Sequence, residues 1–278
     1  MDIFDVISNS AAAVKNHPKY LVPALFIMLL GFTLGIVLSL AFLASMPFHT
    51  AAGQSIYTKL SSMLAYMWPG LAAMFIAIFL SSVFVNGMYI DLCYKWRSKK
   101  ASLSGAFRAA KARYKELLLY SFMVFALNVV LAAILLLPAV FLGYSSVIYP
   151  FMNNIPVGNI GFVAFLAALL ILGAIYIIAE IALSILLWLG PSMIVIDRAA
   201  AVPALKASIA AGKKDWTRIF LTMLSLGLIT VGFVVVAGII QTIPILGAVI
   251  SFILDAAFAA FAAIMVPMYY IMFFKSKR

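Results

Sequence analysis

Negative charge is nearly absent from this chain, and charge of any kind is scarce. Only 10% of its 278 residues are charged, and Asp and Glu together number eight. A soluble domain carries about 25% charged residues. With 67% hydrophobic residues and a mean hydropathy of +1.19, this chain cannot hide its apolar surface in a soluble core, so lipid must be its solvent. The single cysteine, Cys93, excludes an intramolecular disulfide. It sits among Tyr94, Lys95, Trp96 and Arg97, where it reads as a small interfacial hydrophobe or, more sharply, as a juxtamembrane acylation site. Two histidines, His17 and His49, fall on opposite sides of the topology derived below and cannot share a centre. No phosphate-binding glycine loop, metal cluster or nucleophile–base set is present, so no cofactor is expected. Residues 1–19 lack the basic start of a cleavable signal peptide.

What is present is long apolar runs. About 20 apolar residues cross ~30 Å of hydrocarbon. Six segments qualify: 20–44, 69–92, 117–142, 160–189, 219–240 and 245–274. The expected fold is therefore all-α, a polytopic membrane protein with six transmembrane helices in one domain spanning 1–278. Pro191 and Pro267 mark expected bends near the inner ends of the two longest spans.

The net charge of +11 supplies the orientation. Of the nineteen Lys and Arg, all but Lys59 fall before span one, between spans two and three, between spans four and five, or after span six. Basic residues stay on the cytoplasmic side. Both termini are then expected in the cytoplasm of a prokaryotic plasma membrane. Topology accounts for these cations, which leaves no need for nucleic acid as a partner. Tyr66, Trp68, Tyr144 and Tyr149 would mark the outer interface, and Tyr94, Trp96, Trp188, Trp216, Tyr269 and Tyr270 the inner one. Loops at 45–64 and 144–159 are the only outer ones of any size, and the last hairpin turns at 241–244.

A repeat runs through the pattern. Ile7, Ala11, Val14, Pro18 and Leu21 precede span one. Leu103, Phe107, Ala110, Tyr114 and Leu117 precede span three. Leu205, Ile209, Gly212, Trp216 and Ile219 precede span five. All three sets step by four and three, which puts each on one helical face. The expectation is three tandem units, about 1–101, 102–202 and 203–278, each an amphipathic interfacial helix followed by a two-span hairpin. Ser102 or Ser104 would cap the second such helix, and Pro203 suits the first turn of the third. Ile90-Asp91 and Ile196-Asp197 echo each other where spans two and four reach the cytoplasm.

The stretch Pro191-Ser192-Met193-Ile194-Val195-Ile196-Asp197, then Ala204-Leu205-Lys206-Ala207-Ser208, then Lys213, Trp216 and Arg218-Ile219-Phe220, resembles a prokaryotic six-span group. That group is the membrane-domain family of glycerophosphoryl diester phosphodiesterase. Asn86-Gly87-Met88-Tyr89-Ile90-Asp91 and Leu103-Ser104-Gly105-Ala106-Phe107 look like the same group's second-to-third-span linker. The resemblance implies a fold and a location. The family's hydrolysis belongs to a separate soluble barrel that this sequence does not contain, so no enzymatic activity is carried over.

The strongly polar side chains deep inside the runs are Glu180, Asp255, Asn86 and Asn128. An embedded carboxylate costs roughly 2.5–3.5 kcal/mol on insertion scales and must face protein or water. The two acids either pack as neutral groups or bind a proton or cation along a path. Gly31 and Gly35 in span one, and Ala256, Ala259, Ala260 and Ala263 in span six, read as close helix contacts. Lys111, Arg113, Lys115, Lys213, Lys214 and Arg218 would face anionic lipid. The reading is a non-enzymatic membrane-organising or partner-binding scaffold, in contact with the bilayer, anionic lipids, and another membrane protein or a second copy. The alternative is a transporter or channel for a small solute, lipid or ion that uses Glu180 and Asp255.

Overall fold

The structure is a computed structural model that describes residues 3–45, 56–96, 100–153, 159–243 and 246–275. Asp2, His49, Arg97, Lys99, Pro244, Lys277 and Arg278 lie outside the described residues, as do the side chains of Lys59 and Tyr66. Every element among them is helical. In order they are α1 (Ile3–Asn16), a short turn at Pro18–Tyr20, α2 (Leu21–Ser45), α3 (Ile56–Trp96) and α4 (Leu103–Gly143). A wide turn at Tyr144–Ile148 leads to α5 (Tyr149–Met152), then α6 (Asn159–Leu187), α7 (Gly190–Ile196), α8 (Ala201–Lys214), α9 (Trp216–Gln241) and α10 (Leu246–Tyr270). Six stretches are long and apolar enough to cross a membrane: Pro18–Leu40, Trp68–Trp96, Leu103–Ile148, Gly161–Ile196, Trp216–Gln241 and Gly247–Lys275. The chain is a multi-pass, all-α membrane protein.

Local chemistry sets the breaks. Pro18 cannot continue α1, and the chain tightens there into a single turn before α2. Ser102 caps α4, its hydroxyl accepting from the Gly105 amide at 3.2 Å. Span four breaks after Leu187 and restarts at Gly190 with Pro191 in the first turn, close to the expected bend. Beyond α7, Arg198 adopts φ 58°, and the Ala199 amide reaches back to the Met193 carbonyl at 3.3 Å. Pro267 lies inside α10, which passes into a wide turn at Ile271–Lys275. Residues 144–148, expected as loop, remain helical, and α3 starts well before its apolar run, at Ile56.

The second pre-span segment departs from the expected pattern. Residues 103–117 are continuous with span three in one 41-residue helix, about 60 Å long at 1.5 Å per residue. The first segment is broken off by His17-Pro18 and the third by Asp215. Tyr114-Lys115-Glu116-Leu117 contains no such breaker, so nothing interrupts the helix.

The packed core gathers at the end that carries the Lys and Arg. Its members include Val6, Ala13, Tyr20, Ile90, Leu92, Ala110, Leu117, Ile194, Ile219, Met268 and Met272. The other half presents its large apolar side chains outward, among them Phe32, Phe75, Ile134, Leu170 and Ile239. Each pre-span segment packs on the basic end of an even-numbered span: α1 on α10, the first turns of α4 on α3, and α8 on α6. Buried positions fall on one lattice of alternating steps of four and three: 6, 10, 13 and 20, then 106, 110, 117 and 120, then 208, 212, 219 and 222. Tyr20 and Tyr120 occupy the same place in this lattice. Tyr20 donates to the Leu92 carbonyl at 3.0 Å, and Tyr120 to the Leu187 carbonyl at 2.5 Å, tying each odd span to the next even one.

Candidate functional site

Five spans meet around a cavity of about 480 Å³. Asn86 of α3, Ser121 and Asn128 of α4, and Ser184 of α6 supply its polar edge, with Met223 and Val266 reaching in from α9 and α10. Tyr120, Trp188 and Pro191 line it toward the basic end. Asn86 and Val266 also line a second cavity of about 370 Å³ between α2, α3 and α10. Asn86 therefore sits in the wall between the two.

Of the four intramembrane polar residues read from the sequence, this brings Asn86 and Asn128 together. Glu180 and Asp255 line neither cavity. Glu180 does share a helical face with Ser184, Leu187 and Trp188, one turn farther from the basic end. Register adds a second relation. Tyr120 bonds Leu187, and Gly143 lies against Phe165, so the antiparallel helices α4 and α6 carry Asn128 level with Glu180. The Asn128 Oδ1 and one Glu180 oxygen, Oε2, are both shielded and without a hydrogen-bond partner among the described residues. Both oxygens can accept a hydrogen bond that the described side chains do not supply. Asp255 is half-buried in α10 beside fully buried Ala256 and Ala260.

The small-residue expectations divide. Ala256 and Ala260 are buried, and Ala259 and Ala263 line the second cavity. Gly31 and Gly35 make no close contact, since a Cβ on either would meet nothing within 4 Å. Their GxxxG spacing is unused among the described residues. Close approach is made instead at Gly87, against Leu117 and Ala110, and at Gly212, against the α6 backbone.

Several cations knit the basic end together. Lys19 donates to the Ala101 carbonyl at 2.6 Å. Lys95 pairs with Asp91 at 2.8 Å, and Lys275 with Asp197 at 2.9 Å. Asp197 also accepts the Tyr270 hydroxyl, which gives the echoed aspartates a structural use. Lys111, Lys115, Lys213, Lys214 and Arg218 are exposed. Arg113 falls on the protein-facing side of α4 and is half-buried. Arg218 also lies 5.7 Å from the centre of the Phe273 ring.

Aromatic placement needs one correction. Tyr94 and Trp216 are exposed at the basic end, but Tyr269 and Tyr270, expected at an interface, are buried in the core. They pack where α10 meets the other inner ends, and Tyr269 lies 5.6 Å from Trp188, centre to centre. Cys93 is buried too, so its thiol is not presented for acylation. The sequence reading missed Glu116. Its Oε2 accepts the Ala201 amide at 2.7 Å and caps α8 from another helix, because Ala200 at the N-cap has no side-chain acceptor. A lone acid among basic residues on a helix was the available signal.

Among the described residues no three His, Cys, Asp or Glu side chains gather where they could hold a metal ion. Comparisons with protein-family models, with curated proteins and with solved structures give no match to the chain.

Proposed function

We propose that this protein is a non-enzymatic scaffold of a prokaryotic plasma membrane, with both termini and its basic end in the cytoplasm. Three pre-span segments, each seated on an even-numbered span, form a basic platform that holds anionic lipid or a neighbouring membrane protein. The observation that carries this reading is the concentration of the packed core directly behind the exposed cations, while the other half of the bundle is left to lipid. A rigid charged face is what a docking platform requires. The recurring buried lattice supports the three-unit reading, with the second unit's platform helix fused to its span. Each Lys or Arg near an anionic surface contributes about 1 kcal/mol before screening. Native mass spectrometry from mixed micelles should show phosphatidylglycerol retained over phosphatidylcholine, with retention falling in Lys111→Gln/Lys115→Gln. Equal retention in that variant would leave these charges a topological role only.

The paired acceptors at Asn128 and Glu180 favour one second reading, passage of a small solute or cation past the central cavity. Reconstituted vesicles test it. Parental flux under an ion or pH gradient, lost in both Glu180→Gln and Asn128→Ala, would replace the scaffold. Absence of parental flux across a panel of ions removes the transporter.

A further inference from the structure

We propose that the wedge between α6 and α9 binds one acyl chain of an anionic phospholipid, with the phosphate against Lys213. The inference rests on the orientation and lipid contact proposed above and gives them a defined seat.

The wedge has a structural cause. At the basic end α8 lies against α6 so closely that a Cβ on Gly212 would come within 2.7 Å of Leu186 Cα and 2.9 Å of the Ile185 carbonyl oxygen. Ser208 fixes the contact by donating to the Leu186 carbonyl at 2.9 Å. With α8 occupying that side of α6, the chain turns at Asp215 and α9 starts further out. Farther along, α9 packs on α10, where Phe233 stacks on Phe258 at 4.4 Å. The gap left between α6 and α9 holds about 440 Å³. Its walls are Ile178, Ile181, Ala182 and Ile185 on one side and Phe220 on the other, with Lys213 and Trp216 at the inner mouth. From Leu186 to Ile178 the groove runs about 12 Å into the apolar layer at 1.5 Å per residue.

Charge and depth select the occupant. The walls offer an acyl chain no hydrogen-bonding group, whereas the mouth offers a cation. Lys213 is exposed, and among the described residues no carboxylate pairs with it, since Asp215 faces Arg218 at 3.9 Å. Trp216 is 58% exposed, an indole placed as interfacial tryptophans are. The comparable junction at α4 is packed differently. There the helix is unbroken, and Phe84 packs against Phe107 and Tyr114 at 5.1 and 5.8 Å.

Trp216 serves as its own probe. In a Trp68→Phe/Trp96→Phe/Trp188→Phe background in phosphatidylcholine vesicles, phosphatidylglycerol with brominated chains should quench it. Half-quenching should need about fivefold less of this lipid than of brominated phosphatidylcholine, the equivalent of one cation at about 1 kcal/mol. Lys213→Gln should abolish the preference, and Ala182→Phe should abolish it by filling the groove. Equal quenching by the two lipids overturns the site. A preference that survives Ala182→Phe also overturns it, because headgroup attraction alone would then suffice. If the triple variant does not fold, native mass spectrometry of the otherwise unaltered chain decides. Lys213→Gln and Ala182→Phe should each retain one phosphatidylglycerol fewer than the parent, and unchanged counts overturn the site. Lys111→Gln/Lys115→Gln separates the two ideas. Lost bulk retention with no preference at Trp216 keeps the platform and removes the groove. Unchanged bulk retention with a Trp216 preference does the reverse.

Discussion

Gly212→Ala puts the seat of α8 on α6 under direct test. In an unpacked helix this change would stabilise by about 1 kcal/mol through propensity alone. Here the new methyl would lie 2.7 Å from Leu186 Cα and 2.9 Å from the Ile185 carbonyl oxygen. Carbon contacts are comfortable at about 3.5–4.0 Å, and the obstructing atoms are backbone, so no rotamer change relieves them. α8 must therefore shift by about 1 Å. Overpacking of this kind costs about 1–3 kcal/mol, and loss of the Ser208 bond to Leu186 adds about 1 kcal/mol. The opposing terms leave a net destabilisation of about 1–3 kcal/mol. Gly227→Ala is the matched control, since a Cβ there meets nothing within 4 Å. Unfolding in mixed micelles with rising dodecyl sulfate, followed by circular dichroism, should place Gly212→Ala below the parent and Gly227→Ala level with it or above. If the two alanine variants are equally stable, the close seating of α8 is wrong, and with it the cause assigned to the wedge.

Glu116→Ala should cost about 1 kcal/mol by removing the cap on the Ala201 amide, and Ala200→Asp should restore most of it; thermal scanning of the three proteins checks this. Tyr120→Phe should cost a similar amount by leaving the Leu187 carbonyl unbonded where α6 breaks, read in the same scan. In a Cys93→Ser background, cysteines at Asn153 and Thr242 should react with impermeant thiol reagents on intact cells, and those at Lys111 and Lys206 should not; outside labelling of the latter pair reverses the proposed orientation. Ser208 is unsuited to that test, because burial alone would protect it.

The spans were legible because a run of about 20 apolar residues has few alternative uses. The pre-span helices were legible too, but the face read as lying on the membrane is shared with the protein: Ala110, Leu117, Gly212 and Ile219 on it are buried, and in α1 the buried face lies one step away. The sequence pattern pointed to Ile7, Ala11 and Val14, whereas the structure buries Val6, Ser10 and Ala13. It pointed to Phe107, which is exposed, while Ala106 is buried. Apolarity marks burial when water is outside. Beside lipid, large apolar side chains can face outward, and small ones go where helices touch. The same rule explains why Ser208 and Gly212 lie inward and Trp216 does not. Gly31 and Gly35 show the limit of a spacing motif, since a small face becomes a contact only if a neighbour arrives. The Asn128–Glu180 level was beyond reach, because it depends on register between helices that no local pattern encodes. The Glu116 cap depends likewise on an amide 85 positions away.

The packing of α1 against α10 sets an order of events during synthesis. α1 leaves the ribosome first, yet the surface it covers belongs to the last span to be inserted. Until then α1 lacks the span on which it is chiefly seated. The other two segments find their seats on spans already made, α4 on α3 and α8 on α6. Assembly is thus closed by α10, which meets α1, α2, α3 and α9 together. A ribosome stalled before α10 would leave a nearly complete bundle with its first helix undocked, open to a protease that the finished protein resists.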